Sequence, residues 1–225
     1  MSDKKPIKKT DRIRSGNGNG VIFVVTAPSG AGKSSLCWAV IKRIPGLEFS
    51  VSHTTRPPRP NERDGVDYHF VDESAFDKMI EEDKFVEWAS LYGWRYGTSI
   101  AELERARKRK VDLLIEIDRQ GAKQVRDKVP GTVGIFILPP SLDMLKKRLN
   151  DRATESPEEI KVRLSIAADE AMDYVFFEYA VINDDFDEAV SNMEAIVRAE
   201  RCRISRRKKD IEKIVNVSGE NKAAD

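Results

Sequence analysis

Residues 27 to 35 read APSGAGKSS, and their types and spacing suit the holding of a polyphosphate. Gly30 and Gly32 let the backbone of Ala27, Pro28, Ser29 and Ala31 wrap close to phosphate, with N–H groups turned inward. Lys33 can reach β and γ phosphates, the Ser34 hydroxyl can ligate Mg²⁺, and Ser35 extends the helix whose N-terminus favours an anion. Ala27 stands where the common pattern has its first glycine. A triphosphate needs its metal held from a second direction. The run VDLLIEID ends in Glu116 and Asp118, at the strand edge where α/β sheets bind ligands. Asp118 is the expected magnesium carboxylate, acting through water, although one of the two acids can instead serve only to cap the helix that starts at Arg119.

A second stretch, SVSHTTRPPRP at 50 to 60, asks for another anion. Pro57, Pro58 and Pro60 hold Arg56 and Arg59 on an extended loop. A phosphate brought beside a triphosphate meets strong like-charge repulsion, which arginine forks neutralise while orienting it. Arg56 and Arg59 are placed to grip one monophosphate from two sides, with the Tyr68 hydroxyl as a third donor. Such an acceptor is already an oxyanion and needs no general base, so catalysis reduces to positioning and charge stabilisation. His53 and His69 read as isolated residues with loop or packing roles.

These segments need a scaffold. VIFVVT (21–26), VDLLIEI (111–117), VGIFIL (133–138) and YAVIN (179–183) read as buried strands. Helical patterns follow each of them at 33–43, 119–127, 141–150 and 186–213, and a further strand is expected near 49–52. The fold class is therefore α/β, a parallel sheet flanked by helices. Residues 53–98 break the rhythm with short strands (DYHF, FVEWAS) and a helix beginning near Asp72, as expected of a small inserted subdomain. The core domain is then 21–52 and 99–215. Residues 1–20, basic and aperiodic, and 216–225 read as disordered tails.

Composition excludes several classes. The net charge of +1 provides no global field toward nucleic acid or membrane, and 40% hydrophobic with 34% charged residues is a globular balance. Two cysteines, Cys37 and Cys202, suit a reducing compartment, and no leader-like apolar segment opens the chain, so a cytoplasmic location is expected. The basic run RAERCRISRRKK (198–209) reads as a solvated helix end.

Together, APSGAGKSS, SVSHTTRPPRPNERDGVDYHF, FVEWASLYGWRYGTS, IEIDRQGA, IFILPPS and VINDD resemble guanylate kinase of the bacterial type, over about residues 21 to 207. The resemblance implies a P-loop nucleoside monophosphate kinase with a GMP-binding subdomain and a lid at about 148–163. It implies ATP-dependent phosphorylation of GMP, and of dGMP, with Mg²⁺, in purine nucleotide metabolism. By the matching motifs, Arg56, Arg59, Tyr68 and Tyr96 hold the GMP phosphate. Ser52, Glu87 and Thr98 hold the base, with Glu116 or Asp118 close by. The chemistry agrees: guanine offers two adjacent N–H donors to a carboxylate and one carbonyl to a hydroxyl, whereas adenine would leave the carboxylate unpaired. Arg148, Arg152 and Arg163 match a triphosphate clamp, and Asn183 matches a residue near adenine. Asp151 and Ala153 stand where the family usually has glycines, and Glu116 where it usually has aspartate. Guanylate-kinase-like domains also serve as protein-interaction scaffolds, usually with a degraded phosphate loop; here Lys33 and Ser34 are intact. The expected partners are ATP and GMP alone, with the chain a monomer or a homo-oligomer.

Overall fold

The computed structural model describes residues 20–91, 93–151 and 157–220. The chain begins with β1 (Ile22–Thr26), α1 (Lys33–Arg43), β2 (Leu47–Phe49), β3 (His53–Thr54) and β4 (His69–Phe70). It continues with α2 (Glu73–Glu81), β5 (Phe85–Leu91), β6 (Trp94–Ser99), α3 (Ile100–Arg109), β7 (Asp112–Glu116) and α4 (Arg119–Lys128). Then come β8 (Val133–Leu138), α5 (Leu142–Asp151), α6 (Pro157–Ala171), a 3₁₀ turn (Met172–Phe176), β9 (Tyr179–Ile182), α7 (Phe186–Cys202) and α8 (Ile204–Glu220).

Strand β1 lies at the centre of a five-stranded parallel sheet ordered β2-β7-β1-β8-β9. Its residues are buried on both faces, as a helix-covered parallel strand requires. Phe23 and Val25 pack with Leu36 and Val40 of α1 and Met193 and Val197 of α7. Ile22 and Val24 face the other way, onto Leu103 of α3 and Ala122 and Val125 of α4. Because the strands are parallel, the loops after β1, β7 and β9 emerge along one edge, the edge at which α/β sheets bind ligands.

A second sheet, ordered β4-β3-β6-β5, is built from residues 53 to 99. Only His69–Phe70 of the expected DYHF strand joins it. Asp72 caps α2, accepting from the Ala75 N–H at 2.7 Å, and Phe76 stacks on Phe85 with ring centroids 4.5 Å apart. His53 and His69 are not isolated from one another: β3 pairs with β4, and the ring centroids lie 4.6 Å apart.

The C-terminal region departs from the expected single helix and tail. The helix breaks at Arg203, where ψ is 133°, and restarts as α8, which runs on to Glu220. The break lets Arg203 and Arg206 turn back to the fully buried Glu200, which also accepts from the Tyr179 hydroxyl at 2.6 Å. Once begun, α8 extends past residue 216 because each further residue adds a hydrogen bond at little cost. Removing one partner of a buried ionic cluster leaves the others uncompensated. Glu200→Ala is therefore expected to destabilise the chain by about 3 kcal/mol, read from the urea-unfolding midpoint. An unchanged midpoint would mean that Arg203 and Arg206 are fully served by water.

Candidate active site

Gly30 and Gly32, at φ 90° and 88°, place the phosphate-loop backbone in the left-handed region that glycine tolerates. Between them Ala31 donates to the Pro28 carbonyl at 3.1 Å. A Cβ on Gly30 would lie 2.9 Å from Leu145 Cδ1, so α5 packs directly on the loop. Lys33 Nζ donates to the Ile117 carbonyl at 3.1 Å and stands 3.6 Å from Glu116 Oε1. Ser34 Oγ donates to the same Glu116 oxygen at 2.5 Å. Asn183 ties the loop to the sheet edge, with its Nδ2 donating to the Ala31 carbonyl at 2.7 Å. Its own carbonyl accepts from Arg148 at 2.8 Å. A shallow cavity of about 350 Å³ opens here, bordered by Gly30, Gly32, Ser35, Arg148 and Asn183.

A larger cavity, about 610 Å³, runs from the phosphate loop to the second sheet. Lys33, Ser34 and Glu116 border it. Ser52, Arg59, Tyr68, Glu87 and Tyr96 border it too. Glu87 on β5 is 2% exposed, and its Oε1 accepts from the Thr98 N–H at 2.7 Å. The Thr98 hydroxyl lies 3.3 Å from that of Ser52. Burial pushes the Glu87 carboxyl up to about 7, against the hydrogen bonds from Thr98, which lower it. Gly121 leaves the carboxylate room, since a Cβ there would come within 2.7 Å of Glu87 Oε2.

The guanylate kinase family model matches residues 19–200. The chain belongs to the guanylate kinase family. The guanylate kinase of Syntrophotalea carbinolica is 47% identical over 188 residues, covering 84% of this chain and 90% of that protein. That of Geobacter sulfurreducens is 46% identical over 187 residues, covering 83% and 92%. The crystal structure of guanylate kinase from Anaplasma phagocytophilum superposes with a TM-score of 0.67 at 31% identity, over 86% of this chain and 91% of that one.

Six of the site residues expected from the sequence form two clusters. Ser52, Glu87 and Thr98 are brought together, and Lys33, Ser34 and Glu116 meet at the phosphate loop. The two carboxylates are placed differently. Asp118 is the N-cap of α4, accepting from the Gly121 N–H at 2.8 Å, while the acid that touches the loop hydroxyl is Glu116. The end of the strand decides this, since Glu116 is the last residue of β7 and Asp118, two residues on, already caps α4. Asp118 still borders the larger cavity.

Arg56 stands back from that cavity. Its guanidinium pairs with Glu62 at 2.8 Å, donates to the Pro57 carbonyl at 2.9 Å and lies beside the Tyr68 and Phe70 rings. The other Glu62 oxygen accepts from the Arg59 N–H at 2.8 Å, so one carboxylate holds both ends of the arginine loop. The Arg56 guanidinium holds the Glu62 carboxyl below the usual carboxylate range. Sequence reasoning passed over Glu62; its one signal was an acid three residues after Arg59. Nor did it single out Trp38 and Phe49, whose rings stand 4.8 Å apart on the cavity wall. Arg163 lies half-buried on α6 and borders neither cavity. Arg152 and the middle of the expected lid lie outside the described residues.

Proposed function

We infer that the protein transfers the γ-phosphoryl group of ATP to GMP, yielding ADP and GDP, and that it accepts dGMP through the same base contacts. One observation carries the reading. A single cavity is lined both by Lys33 and Ser34 of the phosphate loop and by a buried carboxylate beside two hydroxyls. Glu87 can accept from the two adjacent N–H groups of guanine, and Ser52 or Thr98 can donate to its carbonyl. Arg59, Tyr68 and Tyr96 would meet the GMP phosphate, and Arg56 would join them by releasing Glu62 for the incoming anion. Arg148 and Asn183 stand where the ATP side opens.

Magnesium fits the oxygen donors beside the phosphate loop. Ser34 would hold it directly and Glu116 through water, a hard-donor set in which ATP phosphates and waters complete the shell. When bound it neutralises charge on the transferring phosphoryl group. Lys33 and the loop N–H groups orient the triphosphate, and the arginine loop orients the acceptor for in-line attack. Among the described residues no helix is long and apolar enough to cross a membrane. A cytoplasmic enzyme of nucleotide recycling is the setting this reading supplies.

A coupled assay with ATP and each of GMP, AMP, UMP and CMP tests the reading. GMP should be consumed far faster than the others; comparable rates for AMP would overturn the base assignment. Arg59→Lys should lower kcat/KM for GMP on the order of tenfold, because lysine supplies charge without a planar fork. Unchanged steady-state constants would remove Arg59 from the acceptor site.

A further inference from the structure

Strand β5 is an edge strand, so the outward backbone groups along it have no strand partner. Helix α4 of the core supplies partners from two side chains. Gln124 takes both outward groups of Trp88, accepting from its N–H at 3.3 Å and donating to its carbonyl at 2.9 Å. Lys128 Nζ donates to the Val86 carbonyl at 2.6 Å. The residue between Val86 and Trp88 is Glu87.

The spacing explains why two side chains suffice. Gln124 and Lys128 are four apart on one helix face, about 6 Å along the axis. Val86 and Trp88 are two apart on a strand, about 6.7 Å. One helical turn therefore matches one strand repeat, and the two elements run in opposite directions at the contact. A register irregularity between Phe85 and Glu87 falls at the same place, so pairing with β6 alone defines the strand less firmly there. On its inner side the carboxylate is held by the Thr98 N–H and cleared by Gly121 of the same helix.

We propose that Gln124 and Lys128 are positioning residues for guanine recognition, latching edge strand β5 to α4 so that the Glu87 carboxylate stands at a fixed place in the acceptor site. The proposal rests on the GMP kinase reading. Neither side chain borders the acceptor cavity; both act through the backbone on either side of Glu87. The latch also bears on the whole second sheet. It fixes that sheet to the core along one edge, the edge that presents the base site. The Lys128 ammonium adds a second effect, favouring the ionised form of Glu87.

The test uses Gln124→Ala, Lys128→Met and Lys128→Arg in the full chain, with GMP and IMP as acceptors. IMP lacks the 2-amino group and so engages one oxygen of Glu87 rather than two. Loosening the carboxylate should cost GMP more than IMP. We expect KM for GMP to rise on the order of tenfold in Gln124→Ala and Lys128→Met, the cost of misplacing a paired hydrogen-bonding group. KM for ATP should stay within about twofold, and the preference for GMP over IMP should narrow. Lys128→Arg should restore most of the GMP KM, since a guanidinium can still donate to the Val86 carbonyl. Lys128→Met alone should also move the pH dependence of GMP KM upward. Equal losses for ATP and GMP, or a GMP-to-IMP preference as wide as in the wild type, would overturn the latch. If Lys128→Met fails to fold, Gln124→Ala decides by the same ratios. A wild-type chain that does not phosphorylate GMP would instead sink the functional reading itself.

Discussion

Lys33→Ala is expected to lower kcat for GMP phosphorylation by a hundredfold or more, on the order seen when a single preorganised charge is removed from a transition state. The side chain is already aimed along the sheet edge, at 3.1 Å from the Ile117 carbonyl and 3.6 Å from Glu116. Bound triphosphate offers it a stronger partner than a neutral carbonyl, and the stretch to γ-phosphate needs only a rotation of its flexible stem. The fold should survive, because the Ser34 hydroxyl remains on Glu116 and the loop glycines keep their conformation. Circular dichroism and the unfolding midpoint should therefore match the wild type while turnover collapses. GMP affinity, measured by titration without ATP, should change little. Near-normal turnover by a correctly folded variant would show that the loop backbone alone carries the phosphoryl charge.

The phosphate loop was legible in the sequence because it is local. Two glycines, a lysine and a serine in one run fix both the backbone path and the chemistry, and a strand before and a helix after are read from hydropathy. The parallel sheet was legible for a related reason: strands buried on both faces are apolar at nearly every position. Glu116 and Asp118 show where that legibility stops. Both acids lie at a strand end, and only the three-dimensional exit of β7 tells which one meets Ser34 and which caps α4. Glu62 was missed for a similar reason. Its pairing with Arg56 depends on a loop folding back over six residues, which no periodicity reports. Glu87 was found through the resemblance, whereas its burial, Gly121 and the Gln124 and Lys128 latch come from packing between segments distant in sequence.

Glu87→Gln should reduce kcat/KM for GMP on the order of a hundredfold, because an amide offers one acceptor where guanine presents two donors, and leaves a buried N–H against another. ATP affinity should hardly move, since Glu87 is hydrogen-bonded to Thr98 while Lys33 and Ser34 are bonded to Ile117 and Glu116. The same substitution has an opposite effect on the free protein. The Glu87 carboxyl is raised from 4.5 to about 7 by burial, so the folded state favours its neutral form. Its contribution to stability is fully present below about pH 4.5 and is lost as the pH rises through about 7. Glutamine mimics the neutral form at every pH. The variant should match the wild type in unfolding midpoint near pH 4.5 and exceed it near pH 8. GMP binding by the wild type should run the other way. The ionised carboxylate is the form that accepts both guanine N–H groups, so KM for GMP should fall as the pH rises through about 7. In the glutamine variant that fall should disappear. The two trends separate a recognition role from a packing role, because a carboxylate kept only for structure would give the stability difference at high pH without any change in the pH dependence of GMP use. A variant that lost ATP and GMP equally, or kept the wild-type pH dependence of GMP KM, would remove Glu87 from the base site.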